Sequence, residues 1–179
     1  MNMNNVKRKL WASAKDNGDF FSIETNSGYR GGTNADYKGG NHLLPPDASN
    51  IALGQALLDA LSRSRFVLPA PQAGSVYPPD VEFDKDLYNY EKSNERYQQW
   101  IADLMQRYGY KTKRALFKNM KSCSVEVDDG MMTIQPWHHE KLEGWSGNGI
   151  SKEDYVVIPA NSTPGEIGEA LRLAFSRCT

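Results

Sequence analysis

The sequence contains little cysteine, no long apolar run and no large excess of either charge. Its 179 residues include two cysteines, Cys123 and Cys178, too few and too dispersed for a disulfide framework or a metal knuckle, and we expect both to be reduced. No apolar run is long enough to cross a bilayer, and no hydrophobic stretch of the signal-peptide type follows the charged start MNMNNVKRKLWASAK. These absences predict a soluble, cytoplasmic protein with no membrane partner.

The charge balance also bears on the kind of partner. The formal net charge is -1, whereas domains that mainly neutralise nucleic-acid phosphates usually carry an overall basic excess. The chain is long enough for one domain with a real core, and two independent domains would each be small. We therefore expect a single domain over residues 1–179.

An internal repeat is the most informative feature that is present. Residues 44–64, LPPDASNIALGQALLDALSRS, align without a gap at an offset of 114 with residues 158–178, IPANSTPGEIGEALRLAFSRC. Each copy is typical of a strand end closed by proline and followed by an amphipathic helix. Gly54 and Gly168 occupy the same place in both helices, where glycine costs about 1 kcal/mol relative to alanine. We expect them to allow close approach of each helix to a sheet.

The segments around the repeat predict two strand-rich modules. Alternating apolar residues predict a hairpin around Asn17–Gly18, and a second hairpin is predicted at Asp129–Gly130. Between the copies lie a proline-rich connection and a long helix from about Leu87 to Tyr108, with Gly109 as its stop. The run TKRALFKNM, residues 112–120, is predicted to be a strand, as is DYVVIP before the last helix.

Together these elements predict an α+β fold with mainly antiparallel sheets. Module one covers about residues 5–65, the inserted segment with its helix about 66–109, and module two about 110–179. We expect two four-stranded sheets, each backed by a helix, related by an approximate two-fold axis.

The second half of the chain resembles the immunity proteins of bacterial contact-dependent growth inhibition systems. The resemblance covers about residues 114–178 and is carried by the order of several short motifs: I-x-P at Ile134–Pro136, GWSGNG at Gly144–Gly149, VVIP at Val156–Pro159, EIGEAL at Glu166–Leu171 and the closing SRC. Members of this branch have the Whirly architecture, in which each of two strand-rich modules ends in a helix. The resemblance thus implies a Whirly-like fold.

The resemblance also implies a function. It implies a non-enzymatic protein that binds and neutralises the C-terminal toxin domain of one cognate secreted effector. Toxins paired with this branch include RNases of the EndoU type, so the resemblance implies a ribonuclease target.

Two groups of residues contain side chains of the types that carry chemistry. His138, His139 and Glu140 with the nearby acids suggest a metal site, but adjacent strand residues point to opposite faces. Cys123 with His138 has no evident third residue to orient the pair for nucleophilic catalysis. We therefore predict no catalytic residue, no metal ion and no cofactor.

Charge and aromatic residues suggest where a protein partner binds. An RNase presents positive charge to phosphate, so its inhibitor gains association rate and selectivity from acidic residues with aromatic anchors beside them. If extended, the alternating acids at 82, 84 and 86 would line one face, and a second candidate is the hairpin tip near Trp137. The predicted toxin-binding residues are Glu82, Asp84, Asp86, Tyr88, Tyr90, Asp128, Asp129 and Trp137.

The alternative hypothesis is a single-stranded nucleic-acid-binding protein of Whirly-like fold. Six basic residues and no acid lie between Arg107 and Lys121, interleaved with Tyr108, Tyr110 and Phe117. Basic grooves with aromatic rings that stack on bases are typical of such proteins. The net charge weighs against this alternative, and nucleic acid is a partner only under it.

Overall fold

The computed structural model describes residues 6–179 and contains, within them, eleven strands and four α-helices. The helices are α1 (Asn50–Ser62), α2 (Tyr90–Tyr108), α3 (Lys113–Phe117) and α4 (Pro164–Ser176). The strands are β1 (Leu10–Asp16), β2 (Phe21–Gly28), β3 (Thr33–Ala35), β4 (Asn41–Leu44), β5 (Val67–Leu68), β6 (Glu82–Phe83), β7 (Lys121–Asp128), β8 (Met131–Pro136), β9 (His138–Lys141), β10 (Gly144–Ser146) and β11 (Val156–Pro159).

Seven of these strands form one antiparallel sheet. Its order is β11-β8-β7-β1-β2, and both β3 and β4 pair with the outer edge of β2. The prediction of two separate sheets is wrong, because β1 and β7 pair antiparallel with Ser13 opposite Ser124. This pairing satisfies backbone groups that would otherwise form two exposed sheet edges. The predicted α+β class with mainly antiparallel pairing is confirmed.

The strand registers of the two halves confirm the predicted two-fold relation. The β1–β2 and β7–β8 pairings correspond at an offset of 111 residues. One strand further out, Phe21 lies opposite Leu44 in the first half and Met132 lies opposite Ile158 in the second. Phe21 and Met132 are again 111 residues apart. Leu44 and Ile158 are 114 residues apart, which is the offset of the sequence repeat. A more specific likeness to Whirly proteins stays a prediction.

Helices α1 and α4 lie against each other on one face of the sheet. That face is apolar, with Ala12, Ala14 and Ile23 fully or almost fully buried beneath the helices. A methyl group added at Gly54 would overlap the Pro164 carbonyl oxygen, and one added at Gly168 would overlap the Asn50 carbonyl oxygen. The predicted approach of each helix to a sheet is therefore wrong. Each glycine instead allows its helix to contact the first turn of the other helix.

A second apolar cluster lies outside the main core. It joins Phe20 to one face of α2 and to α3. The prediction of a strand over residues 112–120 is wrong, because Thr112 caps a helix by accepting a hydrogen bond from Ala115 N. Leu116 and Phe117 are adjacent and both fully buried, and a strand would direct them to opposite faces. A single helical turn places both in the cluster.

The inserted segment contains little regular structure before α2. Strands β5 and β6 form a two-residue parallel pair, and α2 begins at Tyr90 with Asn89 as its N-cap. Gly109 ends α2 with φ 72, the left-handed conformation that glycine adopts at low cost. Among residues 6–179, no helix combines the length and apolar character needed to cross a membrane.

Candidate functional site

The predicted acidic segment is held to the first half of the sheet by a buried ion network. Arg65 Nε lies 2.6 Å from Asp36 Oδ2, and Arg65 Nη2 lies 3.0 Å from Asp84 Oδ2. The Tyr37 hydroxyl donates to the same Asp84 oxygen at 2.7 Å. The Asp36 side chain is 0 % exposed and that of Asp84 is 9 % exposed. Asp84 is therefore not a free surface acid, which corrects the prediction that it lies exposed for a partner.

The same contacts explain how these carboxylates stay charged. Burial alone raises the pKa of Asp84, but the hydrogen bonds from Tyr37 and Arg65 outweigh it and hold the pKa well below its usual range. Burial likewise raises the pKa of Asp36, and the hydrogen bonds from Arg65 and Ser27 bring it below its usual value. The network is a structural anchor that fixes the start of the insertion.

The other predicted acids of the segment do not share one extended face with Asp84. Glu82 is exposed in β6, but that strand ends at Phe83 and a turn follows. Asp86 pairs with Lys92 at 2.9 Å, with its side chain 38 % exposed. The predicted alternation of three acids along a strand is therefore wrong.

The two tyrosines of the segment differ in their surroundings. The Tyr88 hydroxyl donates to Val67 O at 2.6 Å, so its polar end is used inside the chain. Tyr90 begins α2 and is 83 % exposed. An exposed ring of this size is available for a protein contact, and the binding role of Tyr90 stays a prediction.

The hairpin tip has the predicted turn but not the predicted neighbour. Asp129 at φ 52 and Gly130 at φ 73 join β7 to β8, and Asp129 pairs with Lys7 at 2.8 Å while Asp128 lies 3.5 Å from Lys7 Nζ. Trp137 follows the far end of β8, with its backbone N donating to Ser122 O. Six residues of strand span roughly 20 Å. The prediction that Trp137 lies near this tip is therefore wrong.

The face of the sheet opposite α1 and α4 forms a groove, here called the sheet-face groove. Two adjoining cavities of about 370 and 320 Å³ share Lys15, Glu24 and Ala35 as lining residues. Helix α2 forms one wall, and Trp137 and Trp145 line the other end. The remaining principal lining residues are Ser13, Asn26, Tyr37, Ser93, Arg96, Tyr97, Trp100 and Ser124.

The groove combines charged groups with aromatic rings. The Lys15 ammonium lies 5.9 Å from the Trp100 ring centroid and 5.7 Å from that of Trp145, and 4.0 Å from Glu24 Oε1. The Arg96 guanidinium lies 4.0 Å from the Tyr37 ring centroid. Trp, Tyr and Arg are the residue types that most often dominate protein–protein binding energy. The groove therefore has the composition of a protein-binding surface.

Two buried donors in the α2 wall have no hydrogen-bond partner among residues 6–179. They are Arg96 Nη1 and Trp100 Nε1. On the same helix, burial and the nearby Glu143 carboxylate raise the pKa of Tyr97, so its hydroxyl stays a neutral donor, directed to Glu143 at 3.1 Å. An α2 wall with unused donors favours a partner that supplies acceptors.

The side chains of His138 and His139 each contact another side chain of the chain, and the two cysteines lie close together. His138 Nδ1 lies 2.8 Å from Thr179 Oγ1, and the His139 ring stacks on Trp145 at 4.9 Å between centroids. No group of three or more His, Cys, Asp or Glu side chains able to hold a metal ion lies within residues 6–179. Cys123 is fully buried and its Sγ lies 3.7 Å from that of Cys178. Both cysteines are free thiols, as expected, although the fold brings them close together.

The aromatic residues of the basic run are not free for base stacking. The Tyr108 ring stacks on Phe20 at 4.6 Å, Phe117 is fully buried, and the Tyr110 hydroxyl accepts from Asn17 Nδ2 at 2.8 Å. The contacts of Tyr108 and Phe117 inside the chain weigh against the alternative hypothesis of nucleic-acid binding.

Sequence reasoning missed the groove because its residues come from distant segments. Lys15, Glu24 and Arg96 share no motif, and each is ordinary in its own strand or helix. One signal was present in β1, where Ser13 and Lys15 alternate with the buried Ala12 and Ala14. That alternation identifies an open sheet face, but not the helix that covers part of it.

Comparisons with known proteins identify the family. The model of the CdiI family, CDI immunity protein, matches residues 10–178. The immunity protein CdiI-YPIII of Yersinia pseudotuberculosis serotype O:3 (strain YPIII) is 50% identical over 176 residues, which cover 98% of this chain and 99% of that protein.

Solved structures agree over the whole fold. A chain of the CdiA-CT/CdiI toxin and immunity complex from Yersinia pseudotuberculosis matches with a TM-score of 0.92 and 49% identity, covering 98% of this chain and 100% of that one. The protein of unknown function NMB0488 from Neisseria meningitidis matches with a TM-score of 0.80 and 36% identity over 98% of both chains. The resemblance stated from residues 114–178 is confirmed and extends to the first half of the chain. This chain belongs to the CdiI family of contact-dependent growth inhibition immunity proteins.

Proposed function

We propose that this chain binds the C-terminal toxin domain of a cognate CdiA effector and neutralises it in the cytoplasm, as a single immunity domain without catalytic activity. The observation that carries the proposal is the fit of 98% of the chain, at a TM-score of 0.92, to a chain of a toxin and immunity complex. Binding alone is sufficient for this role, so no catalytic group is required.

We further propose that the toxin is a ribonuclease, with the EndoU type as the first to test. This finer assignment is supported only by the resemblance to a branch whose partners include such enzymes. Exposed acids such as Glu82 suit a partner with a cationic RNA-binding surface.

The sheet-face groove is proposed as the main docking surface. It offers Arg, Tyr and Trp side chains in a concave site, and α2 connects it to the predicted segment through Tyr90. Trp137 is the predicted residue that lines the groove itself. Glu82, Asp86 and Tyr90 stay predictions for the surrounding rim.

The first experiment tests binding and protection with the toxin domain encoded beside this chain. The two proteins should co-purify, and expression of this chain should restore growth to cells that produce the toxin. Absence of both effects in a folded protein would overturn the proposed function. Degradation of purified RNA by the free toxin, stopped by this chain, would support the ribonuclease assignment, and its absence would remove that assignment alone.

A steric pair of variants tests the groove. Ser13→Tyr places a large side chain on the groove floor, whereas Thr133→Tyr places the same side chain on β8, outside the residues that line the two cavities. We expect Ser13→Tyr to weaken toxin binding strongly and Thr133→Tyr to leave it nearly unchanged. Calorimetry with circular dichroism as a folding control measures both. Equal affinity of the two variants would overturn docking in the groove, and Glu82→Ala with Tyr90→Ala would then test the rim.

The absence of catalysis has its own test. Protection should survive Cys123→Ser and His138→Ala, since His138 is held by Thr179 and Cys123 is fully buried. Loss of protection in a folded variant that still binds toxin would show that the side chain has a chemical role.

A further inference from the structure

The two cysteines form a close pair between distant parts of the chain. Cys123 lies on the core face of β7, and Cys178 follows the end of α4, next to the last residue. Their sulfur atoms are 3.7 Å apart although 55 residues separate them in sequence. Both are free thiols, with Cys123 fully buried and Cys178 partly exposed.

The surroundings give the two thiols different reactivities. The hydrogen bond from Cys123 and the backbone groups of Trp137 and Ser122 outweigh burial and lower the pKa of Cys178 to about 7. Burial raises the pKa of Cys123 well above its usual value. Because the thiolate is the nucleophilic form, Cys178 is the thiol that reacts first with an oxidant. Cys123 is positioned to react second, since its Sγ lies 3.7 Å from that of Cys178.

The other half of the chain shows that the fold does not require this pair. Ser64 corresponds to Cys178 in the repeat, and Ala12 corresponds to Cys123 in the strand registers. Ser64 Oγ accepts a hydrogen bond from Trp11 N at 3.0 Å and donates one to Asn26 O at 2.7 Å. In the first half, the hydroxyl of Ser64 and the methyl group of Ala12 therefore occupy the two corresponding positions without a thiol. Close packing of two sulfur atoms calls for an explanation other than the fold.

We propose that Cys123 and Cys178 are a redox modification site that forms a reversible intramolecular disulfide with peroxide as the oxidant. The Cys178 sulfur attacks one peroxide oxygen, the O–O bond breaks, and a sulfenic acid forms while the other oxygen leaves as water. The Cys123 sulfur then attacks the Cys178 sulfur, the S–O bond breaks, and the thiol proton leaves with the oxygen as a second water. Two thiols lose two electrons in total, and one hydrogen peroxide becomes two water molecules.

The movement needed for the bond is small. The sulfur atoms must approach from 3.7 Å to the disulfide bond length of about 2.05 Å. Cys178 lies after the last residue of α4, and its Sγ is held by long contacts to the carbonyl oxygens of Ser122 and Ala174, at 3.3 and 3.7 Å. The bond would tie the segment after α4 to β7 near the centre of the sheet, and we expect it to raise the midpoint of thermal unfolding. The proposal does not depend on toxin binding.

The test uses the full chain in its native state. Reduced protein is exposed to hydrogen peroxide, denatured and treated with N-ethylmaleimide. Its mass is then measured by mass spectrometry. We expect the chain to lose the mass of two hydrogen atoms, to take up no maleimide, and to regain two reactive thiols after dithiothreitol. We also expect the oxidised chain to unfold at a higher temperature. Two alkylated thiols after treatment, over-oxidation of Cys178 with Cys123 still free, or a disulfide only between chains would each overturn the proposal.

Variants taken from the other half of the chain separate the two steps. Cys123→Ala and Cys178→Ser reproduce Ala12 and Ser64, so both are expected to fold. In Cys123→Ala, the reaction should stop at a Cys178 sulfenic acid that dimedone traps. In Cys178→Ser, the buried Cys123 should react with peroxide at least tenfold more slowly than the wild-type pair. Equal rates in Cys178→Ser and wild type would show that Cys178 is not the reacting thiol, and the wild-type mass measurement remains decisive if either variant does not fold.

Discussion

The two halves of the sheet have corresponding strand registers, and an inserted segment with its own helix lies between them in the chain. Both halves end in a helix whose internal glycine contacts the first turn of the other helix. After α1, Arg65 anchors residues 66–89, and α2 then covers part of the open sheet face. Residues 177–179 follow α4. The strand pairs and the glycine-bearing helices, which occur in both halves, build the fold. The inserted segment with α2, which occurs once, supplies a wall of the groove.

This difference separates two kinds of stabilising contact. The glycine contacts are steric and appear twice, so they hold one half of the molecule against the other. The Arg65 network is electrostatic and appears once, so it holds the insertion to the first half. Residues of the two kinds can therefore be changed independently.

The largest effect is expected from removing the contact found in only one half. Arg65→Ala leaves the buried Asp36 carboxylate without its cation and leaves Asp84 with the more distant Lys38 ammonium at 3.7 Å, which is expected to cost about 3 to 5 kcal/mol of unfolding free energy. Urea unfolding followed by circular dichroism measures the loss. The matched control is Arg63→Ala, whose side chain is 55 % exposed in its pair with Asp59 and should cost less than about 1 kcal/mol. Similar losses for the two variants would contradict a special role for the network.

The same network predicts a dependence of stability on pH. Both Asp36 and Asp84 have pKa values below their usual range in the folded chain. Their contribution is therefore present above the unfolded pKa of about 4, and is lost as the pH falls through the lower folded values. We expect the unfolding free energy of the wild type to fall on acidification below about pH 4, and that of Arg65→Ala to fall less steeply. Parallel pH profiles would show that other carboxylates dominate acid unfolding.

The contacts found in both halves predict the next largest effect. A methyl group at Gly54 or Gly168 would overlap a backbone carbonyl oxygen of the facing helix, so α1 and α4 must separate. Each alanine variant is expected to lose about 3 kcal/mol, near the upper end for overpacking in a core. At that loss the unfolding midpoint should fall by roughly 6 to 12 °C for a chain of this size. Thermal unfolding by calorimetry measures it.

Gly165→Ala is the matched control for these variants. It lies in the first turn of α4, where an added methyl group would meet Ile51 Cγ1 at an ordinary 3.7 Å. We expect no loss, and a small gain of up to about 1 kcal/mol from helix propensity. A large loss at Gly54 with none at Gly168 would contradict the two-fold relation between the helices.

The sequence predicted the repeated parts of the fold well and their assembly poorly. The repeat placed both helices, and Asp129–Gly130 placed one hairpin, because these signals lie within short segments. The pairing of β1 with β7 left no such signal, because the residues of both strands suit an inner or an outer position in a sheet. The equal placement of Gly54 and Gly168 indicated that each helix approaches another element closely. The sequence did not show whether that element is a sheet or the other helix.

The candidate site was less predictable for the same reason. Acidic residues near tyrosines were visible in the sequence, but the partner that buries Asp84 is Arg65, which lies 19 residues away. The groove needs strands from both halves and a helix from the insertion. Charge patterns identify candidate residues, whereas exposure depends on tertiary contacts.

The smallest effects should come from the two hairpin turns, which also differ between the halves. Asn17 in the β1–β2 turn accepts hydrogen bonds from the backbone N of Asp19 and of Phe20, and its Nδ2 donates to Leu116 O at 3.2 Å. Asn17→Ala removes all of these and should cost about 2 kcal/mol. Asp129 in the β7–β8 turn has φ 52 and makes its ion pair with Lys7 at the surface.

Asp129→Asn is the matched change in the second turn. Asparagine tolerates the left-handed conformation as well as aspartate does, and Asn-Gly is a favoured pair for this type of turn. Only the exposed ion pair with Lys7 is lost, and salt screens such pairs. We expect its unfolding midpoint to match the wild type within error in moderate salt, and that of Asn17→Ala to be clearly lower. Equal lowering of the unfolding midpoint in the two variants would mean that the second turn carries a contact as important as that of Asn17 with the residues around α3. The two halves would then be alike at their turns as well as in their helices.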